Sequence, residues 1–169
     1  PRGTEKNEFA DCDIILCTLP LFHVNAVFVT SLNAIVGAGQ VVLAGPNGFR
    51  NPQLIHDFWH LVEKYKVTFF AAVPTIYATL LDQPMADIDT SSLINCGCGA
   101  APMPVSLIDN FARNTGADIM EGYGMTETIA AASTHYVYGD RKVGSVGMRL
   151  PYHGICLLYT SPSPRDIGP

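Results

Sequence analysis

The sequence predicts an α/β protein with a layered, largely parallel sheet and flanking helices. Short apolar runs typical of buried strands alternate along the chain with longer segments in which apolar residues recur every three or four positions. Each helix between two strands can return the chain to the same edge of the sheet, which favours parallel pairing. With 169 residues, of which 48% are hydrophobic, the chain can form one ordinary globular core.

Five segments have the composition of strands. Residues 13–19 are apolar between polar flanks, which suits a strand covered on both faces of a parallel sheet. The later segments are rich in β-branched or small apolar residues, and they are bounded by glycine or polar residues. The strands predicted after the first cover residues 40–44, 67–73, 93–96 and 117–120.

Four segments between these strands have a helical pattern. Asn51 and Pro52 predict a helix start, because asparagine can cap the first turn and proline has no N–H to lose there. Leu54, Phe58 and Val62 then follow at helical spacing and would share one buried face. The predicted helices cover residues 25–36, 52–65, 74–81 and 104–114.

The last residues differ from the rest. Residues 157–169 contain three prolines and have no apolar period, so we expect residues 155–169 to form an unstructured tail after a partial domain at 1–154. The string LLYTSPSPRD is also similar to translated sequencing-adapter sequence, which would give it no structural meaning.

Composition excludes several classes of protein. The net charge of −5 is spread without a basic run, which argues against a nucleic-acid partner. The longest apolar region, residues 24–43, is interrupted by polar residues and glycines, so we expect no transmembrane segment. Five cysteines, an odd number, lie in apolar stretches, which favours a reduced, cytoplasmic location. Nothing in these patterns indicates an oligomeric state.

Residues 121–128 are the main candidate for chemistry. Glycines on both sides of Tyr123 allow a sharp turn and a close approach to a ligand, and the aromatic ring offers a flat face. The Thr126 hydroxyl and the Glu127 carboxylate, at the end of a strand, suit a phosphate and its Mg²⁺. Ligands bind beyond the carboxyl ends of parallel strands, so the loops 97–104 and 121–128 form the predicted site. The alternative is a plain turn with Glu127 pointing to solvent.

Residues 123–127, YGMTE, resemble the adenine- and phosphate-binding motif of the AMP-binding, adenylate-forming superfamily, which includes acyl-CoA synthetases, peptide-synthetase adenylation domains and luciferases. Three further segments resemble motifs of the same family in the same order, namely PLFH at 20–23, GAAPM at 99–103 and GSVG at 144–147. The likeness runs from about residue 11 to residue 154 and implies an internal piece of the large N-terminal domain of such an enzyme.

The resemblance also implies roles for individual residues. The loop 99–102 would lie along the adenine, and Tyr123 would pack against it. Residues 121 and 122 would lie between the adenine and the acyl pocket. The implied nucleotide-binding residues are Gly99, Ala100, Ala101, Pro102, Glu121, Gly122, Tyr123, Gly124, Met125 and Thr126.

Three residues are implied to act on the reacting groups. Thr126 would contact the α-phosphate and Glu127 would bind Mg²⁺. His23 would border the carboxylate site and pair with Glu127. On its pattern alone, a histidine between Phe22 and Val24 also fits a core position with its hydrogen bonds satisfied.

The implied activity is that of an ATP-dependent acid–thiol ligase. A carboxylic acid and MgATP would give an acyl-adenylate, and the acyl group would then pass to coenzyme A. The PLFH and EGYG variants favour a fatty- or aryl-acyl-CoA synthetase. The alternatives are an adenylation domain that loads a carrier-protein thiol and a non-catalytic nucleotide-binding relative. The family's phosphate loop, ribose-binding aspartate and catalytic lysine are not in the sequence, so we expect residues 1–169 alone to be inactive.

Other candidate sites are weaker. His56 and His60 are one helical turn apart, but no third zinc ligand is evident in the sequence. Cys96 and Cys98 are not spaced as a CxxC motif, and their place next to the loop 99–102 favours close packing over redox chemistry. No GxGxxG follows the first predicted strand, which disfavours a dinucleotide-dependent dehydrogenase.

Overall fold

The computed structural model describes residues 13–136, 139 and 141–157. Its strands form one seven-stranded sheet in the order β2-β1-β3-β4-β5-β6-β7. The strands are β1 (Ile14–Cys17), β2 (Gln40–Leu43), β3 (Phe69–Ala72), β4 (Asn95–Cys98), β5 (Asp118–Met125), β6 (Ala130–Thr134) and β7 (Met148–Arg149). Strands β1 to β5 pair in parallel, whereas β6 is antiparallel to β5 and β7 is antiparallel to β6.

Helices lie between the parallel strands. A π-helical segment, Asn25–Leu32, continues into α1 (Asn33–Val36) and is followed by α2 (Pro52–Tyr65), α3 (Pro74–Leu81) and α4 (Val105–Thr115). Short 3₁₀ turns cover Gly48–Arg50 and Thr126–Thr128. The Asn51 side chain accepts a hydrogen bond of 3.0 Å from the Gln53 N–H, which caps α2 as its sequence predicts.

The sheet is covered on both faces. On one face α2, α3 and α4 bury an aromatic cluster in which the Tyr77 and Phe111 rings meet edge to face at 5.1 Å. The buried polar ends of the cluster are paired, since Tyr77 donates to the Gly97 carbonyl and Trp59 Nε1 donates to the Leu80 carbonyl. On the other face the smaller cluster includes Ala34 of α1. This packing fixes the strand ends that carry the candidate site.

The predicted α/β class, its five parallel strands and its four helical segments are confirmed, with shifts of a few residues at their ends. The prediction that residues 121–125 form a loop is wrong, because β5 continues through them to Met125. Their backbone pairs with β6, and this pairing stabilises the strand. Glycine is depleted in strands, so the glycines at 122 and 124 do not indicate a strand in the sequence. The antiparallel strands β6 and β7 were not predicted. The sequence of β6, AAAST at 130–134, lacks the alternation of apolar and polar residues that marks a half-buried strand, and β7 has only two residues.

The described chain ends without regular structure. Residues 155–157 belong to no helix or strand, and residues 158–169 lie outside the described part, so the predicted tail stays a prediction. None of the helices in the described ranges has the length and apolar character needed to cross a lipid bilayer.

Candidate active site

The two predicted ligand-binding segments are neighbours at the carboxyl ends of β4 and β5. Cys98 and Glu121 are register partners, so the loop that begins at Gly99 leaves the sheet directly beside Gly122. A Cβ built on Gly99 would lie 3.5 Å from the Gly122 carbonyl oxygen, in ordinary van der Waals contact. The order of the parallel strands therefore brings the segments 99–102 and 121–127 to one edge of the sheet.

The loop after β4 presents an accessible backbone edge. Ala100, Ala101 and Pro102 are exposed, and Ala100 has the positive φ of 68° that L-residues seldom adopt. The next residue, Met103, is only 4% exposed and packs into the main core just before α4. The loop is thus open to a ligand while its far end is fixed by packing.

The β5–β6 hairpin carries the aromatic residue of the motif. Tyr123 is paired with Ser133 of β6, and its side chain is about half exposed at 47%. The register between the strands shifts between Tyr123 and Gly124, and a Cβ on Gly124 would overlap the Ala130 carbonyl oxygen. Glycine is required at 124 because β6 approaches its backbone that closely.

The hydroxyl and carboxylate of the motif lie on the turn that joins β5 to β6. Thr126 and Glu127 are both exposed, whereas the Thr128 hydroxyl bonds back to the backbone of Met125, at 3.2 Å from its nitrogen and 3.1 Å from its oxygen. Ile129 then has a φ of 57°, which is unusual for a β-branched residue. Such strain is found at functional sites more often than elsewhere in proteins.

Glu127 is suited to a metal ion that takes most of its ligands from a bound phosphate and from water. Its carboxylate has no hydrogen bond or ion pair with any residue in the part of the chain that the structure describes. The same part contains no cluster of three or more histidine, cysteine, aspartate or glutamate side chains placed to hold a metal. One free carboxylate beside a hydroxyl fits Mg²⁺, which takes its other ligands from phosphate oxygens and water.

Glu121 has a different environment from the rest of the motif. It is only 8% exposed, and its two carboxylate oxygens accept hydrogen bonds from two backbone amides. Oε1 accepts from the Met103 N–H at 3.3 Å, and Oε2 accepts from the Gly144 N–H at 3.0 Å. A contact between Glu121 and a nucleotide stays a prediction, because this carboxylate faces the protein.

The segment that resembles GSVG is held against the same strand. Arg141 forms an ion pair of 2.9 Å with Asp118 at the start of β5, and His135 Nε2 lies 2.7 Å from the Ser145 carbonyl oxygen. Sequence analysis did not identify Arg141 or Asp118. No local pattern marks this pair, which forms between residues that lie far apart in the sequence.

His23 lies in a separate part of the site. It is exposed, its ring centroid is 4.8 Å from that of Phe22, and no hydrogen bond joins it to Glu127 in the described ranges. The predicted pairing of these two side chains stays a prediction. His23 borders a cavity of about 230 Å³ beyond the ends of β1 and β3, lined by Thr18, Leu19, Pro20, His23, Asn47, Phe49, Arg50, Val73 and Ile76.

The two cysteines beside the loop are buried. Burial raises the pKa of the Cys98 thiol to about 12, with a smaller contribution from the nearby Glu121 carboxylate, and burial also raises the pKa of Cys96. The thiolate is the reactive form, and it is scarce at any pH well below the pKa. Both residues therefore act as packing residues of β4.

This environment predicts a difference in cysteine reactivity. At mildly alkaline pH we expect iodoacetamide to modify the exposed Cys156 and to leave Cys98 unmodified in the folded chain. Peptide mass spectrometry after timed alkylation measures both sites, and denaturant provides the control in which both react. Equal labelling of Cys98 and Cys156 in the folded chain would contradict the buried, protonated state of Cys98.

Comparison with known proteins gives consistent results. The family model described as AMP-binding enzyme matches residues 2–162. Marinolic acid–CoA ligase of Pseudoalteromonas sp. (strain SANK 73390) is 61% identical over 152 residues, which are 90% of this chain and 23% of that protein. The long-chain-fatty-acid–CoA ligase of Bacillus subtilis (strain 168) is 36% identical over 92 residues, 54% of this chain and 16% of that protein.

Solved structures with the same fold include ligases bound to nucleotides. The anthranilate CoA ligase AuaEII in complex with anthranoyl-AMP matches with a TM-score of 0.72 and 25% identity, over 85% of this chain and 27% of that one. ATP-bound MatB from Rhodopseudomonas palustris matches with a TM-score of 0.69 and 29% identity, over 85% and 27% of the two chains. The present chain spans about a quarter of the length of these proteins.

Proposed function

Since this chain belongs to the family of AMP-binding enzymes, we propose that it forms part of the nucleotide site of a ligase that activates a carboxylic acid with ATP and transfers the acyl group to coenzyme A. The observation that carries the proposal is the edge of the sheet where β4 and β5 end. There an open loop, a half-exposed tyrosine and a free carboxylate beside a hydroxyl lie on two adjacent strands.

In the proposed first step, a carboxylate oxygen of the acid attacks the α-phosphorus of ATP. The bond from that phosphorus to the bridging oxygen breaks, and pyrophosphate leaves with the electron pair. Tyr123 and the loop 99–102 hold the adenine, and the Thr126 hydroxyl donates to an α-phosphate oxygen. Glu127 would hold the Mg²⁺ that accompanies ATP, and a bound ion of this kind would offset charge that builds up in the transition state.

In the proposed second step, the thiol of coenzyme A attacks the carbonyl carbon of the acyl-adenylate and AMP leaves. The names of the relatives support coenzyme A as the acceptor, since marinolic acid–CoA ligase and long-chain-fatty-acid–CoA ligase are both CoA ligases. A fatty or aryl acid is proposed as the substrate, in line with the long-chain-fatty-acid–CoA ligase among the relatives. His23, at the 230 Å³ cavity, is proposed to border the carboxylate of the acid.

A chimera tests this function in a complete enzyme. Residues 13–154 replace the matching part of marinolic acid–CoA ligase, which is close enough in sequence, at 61% identity, for the packing to be kept. We expect acid-dependent exchange of labelled pyrophosphate into ATP by the chimera and none by the isolated 169-residue chain. The isolated chain lacks the phosphate loop and lysine that the resemblance implies.

Each result of this experiment decides one point. Absence of exchange in a folded chimera, with the unmodified host active, would reject the proposed function. Robust exchange by the isolated chain would reject the view that its site is incomplete.

A further inference from the structure

We propose that Glu121 is a positioning residue that ties the loop 99–103 and the segment 141–147 to β5, and so sets the shape of the nucleotide site without itself contacting the nucleotide. The proposal rests on the proposed function, because it concerns the same site. It adds a structural role for the one acidic side chain of the motif that is buried.

The geometry of the carboxylate supports a tie between two segments. Its two oxygens accept from amides that lie 18 and 23 residues away in opposite directions, Met103 at 3.3 Å and Gly144 at 3.0 Å. Hydrogen bonds to an ionised acceptor are stronger than those between neutral groups. Within the described ranges, Glu121 is the side chain that bonds to both segments at once.

The two segments come from different parts of the chain. Met103 ends the exposed loop 99–102 and is fixed in the core, so its amide marks where that loop rejoins the fold. Gly144, with a φ of 78°, lies within the segment 141–147, which follows β6 and is also tied to β5 by the Arg141–Asp118 ion pair. Glu121 therefore sets the separation of two backbone segments, one that follows β4 and one that follows β6.

The charge of Glu121 is compatible with burial at this place. A buried carboxylate costs free energy unless its oxygens are hydrogen-bonded, and here each oxygen has a backbone donor. The carboxylate also borders a cavity of about 100 Å³ that is lined by Arg141 and Lys142, together with Asp118 and His135. The two backbone donors reduce the cost of the charge, and the charge in turn holds the two amides.

Glutamine at this position keeps the shape of the side chain but changes its charge and its hydrogen bonding. It has the size of glutamate, but it has one oxygen acceptor and an NH₂ group that cannot accept from the second amide. Glu121→Gln must therefore lose one of the two bonds, and the amide that it releases is either that of Met103, which is buried, or that of Gly144, which is exposed. Glu121→Met fills a similar volume, removes both bonds and also removes the buried charge, so it is expected to fold.

Amide hydrogen exchange in the 169-residue chain, without nucleotide, tests the tie directly. We expect exchange at Met103 or Gly144 to be about tenfold faster in Glu121→Gln, and exchange at both to be faster in Glu121→Met. The matched control is Glu63→Gln, because Glu63 also accepts a backbone N–H, that of Asp89 at 3.0 Å, at an exposed site. Unchanged exchange at both amides in both Glu121 variants would overturn the proposal.

Kinetics of the chimera test the consequence for the ligand. Glu121→Gln is expected to raise the KM for ATP about tenfold with a smaller change in kcat, because the adenine wall is displaced while the groups on the Thr126–Thr128 turn are kept. An unchanged KM for ATP would reject the positioning role. A raised KM with unchanged amide exchange would instead indicate direct contact between Glu121 and the nucleotide, and would also reject it.

The two experiments distinguish a failure of this inference from a failure of the proposed function. If the unsubstituted chimera does not adenylate any acid, the proposed function fails while the amide measurement still reports on the tie. If the chimera is active and the amides do not respond to Glu121, the inference fails alone.

Discussion

Glu127→Gln in the chimeric ligase is expected to lower the rate of acid-dependent ATP–pyrophosphate exchange by about 100-fold or more. Glutamine keeps the size of the side chain but removes the negative charge that would hold Mg²⁺ on the phosphates. The loss should be partly reversed at high Mg²⁺, because a weakened metal site fills again by mass action. Exchange rates measured across a range of Mg²⁺ concentrations test both statements.

The Glu127→Gln substitution should lower activity without lowering the stability of the fold. Glu127 is exposed and its carboxylate has no partner in the described part of the chain, so its replacement should change the free energy of unfolding by no more than about 0.5 kcal/mol. Glu63→Gln in the same chimera is the control for an acidic residue away from the site, and it should keep full exchange activity. Exchange within twofold of the unsubstituted chimera, at limiting Mg²⁺, would contradict a metal-binding role for Glu127.

The parts of the fold that sequence predicted well depend on local signals. The helix α2 begins where Asn51 and Pro52 indicate, since its cap is a contact between residues two apart. The helix α3 has the predicted bounds, Pro74–Leu81, because a proline in the first turn has no N–H to lose there. In both cases the residues that determine where the helix starts are close together in the chain, so the start can be recognised from the sequence alone.

The parts that sequence did not predict depend on distant partners. The extension of β5 through Met125 requires β6, and the alanine-rich β6 in turn is stabilised by pairing on both of its edges. Glu121 could not be recognised as a buried carboxylate, because its two partners are backbone amides 18 and 23 residues away. The residue types of Thr126 and Glu127 fit a phosphate with Mg²⁺ and fit a plain turn equally well, and the resemblance of the whole motif is what favours the first.

Gly124→Ala is expected to destabilise the described fold more than any other substitution considered above, by about 3 kcal/mol or more. The added Cβ would overlap the backbone carbonyl oxygen of Ala130, which cannot turn aside as the end of a side chain could. Relief of that overlap requires β6 to move away from β5 at the point where their register already shifts. Urea unfolding followed by circular dichroism measures the change.

Gly154→Ala is the matched control, because a Cβ at Gly154 meets no atom within 4 Å and this glycine does not have a positive φ. Equal stability of the two variants would show that β6 does not approach Gly124 as closely as described. The same close approach shapes the site, since the chain between Gly124 and Ala130 must close within the Thr126–Thr128 turn, and it does so with positive φ angles at Ile129 and Ala130. In the chimera, Gly124→Ala should therefore reduce ATP–pyrophosphate exchange even at a temperature where the variant is still folded, because the turn that presents Glu127 is displaced together with β6.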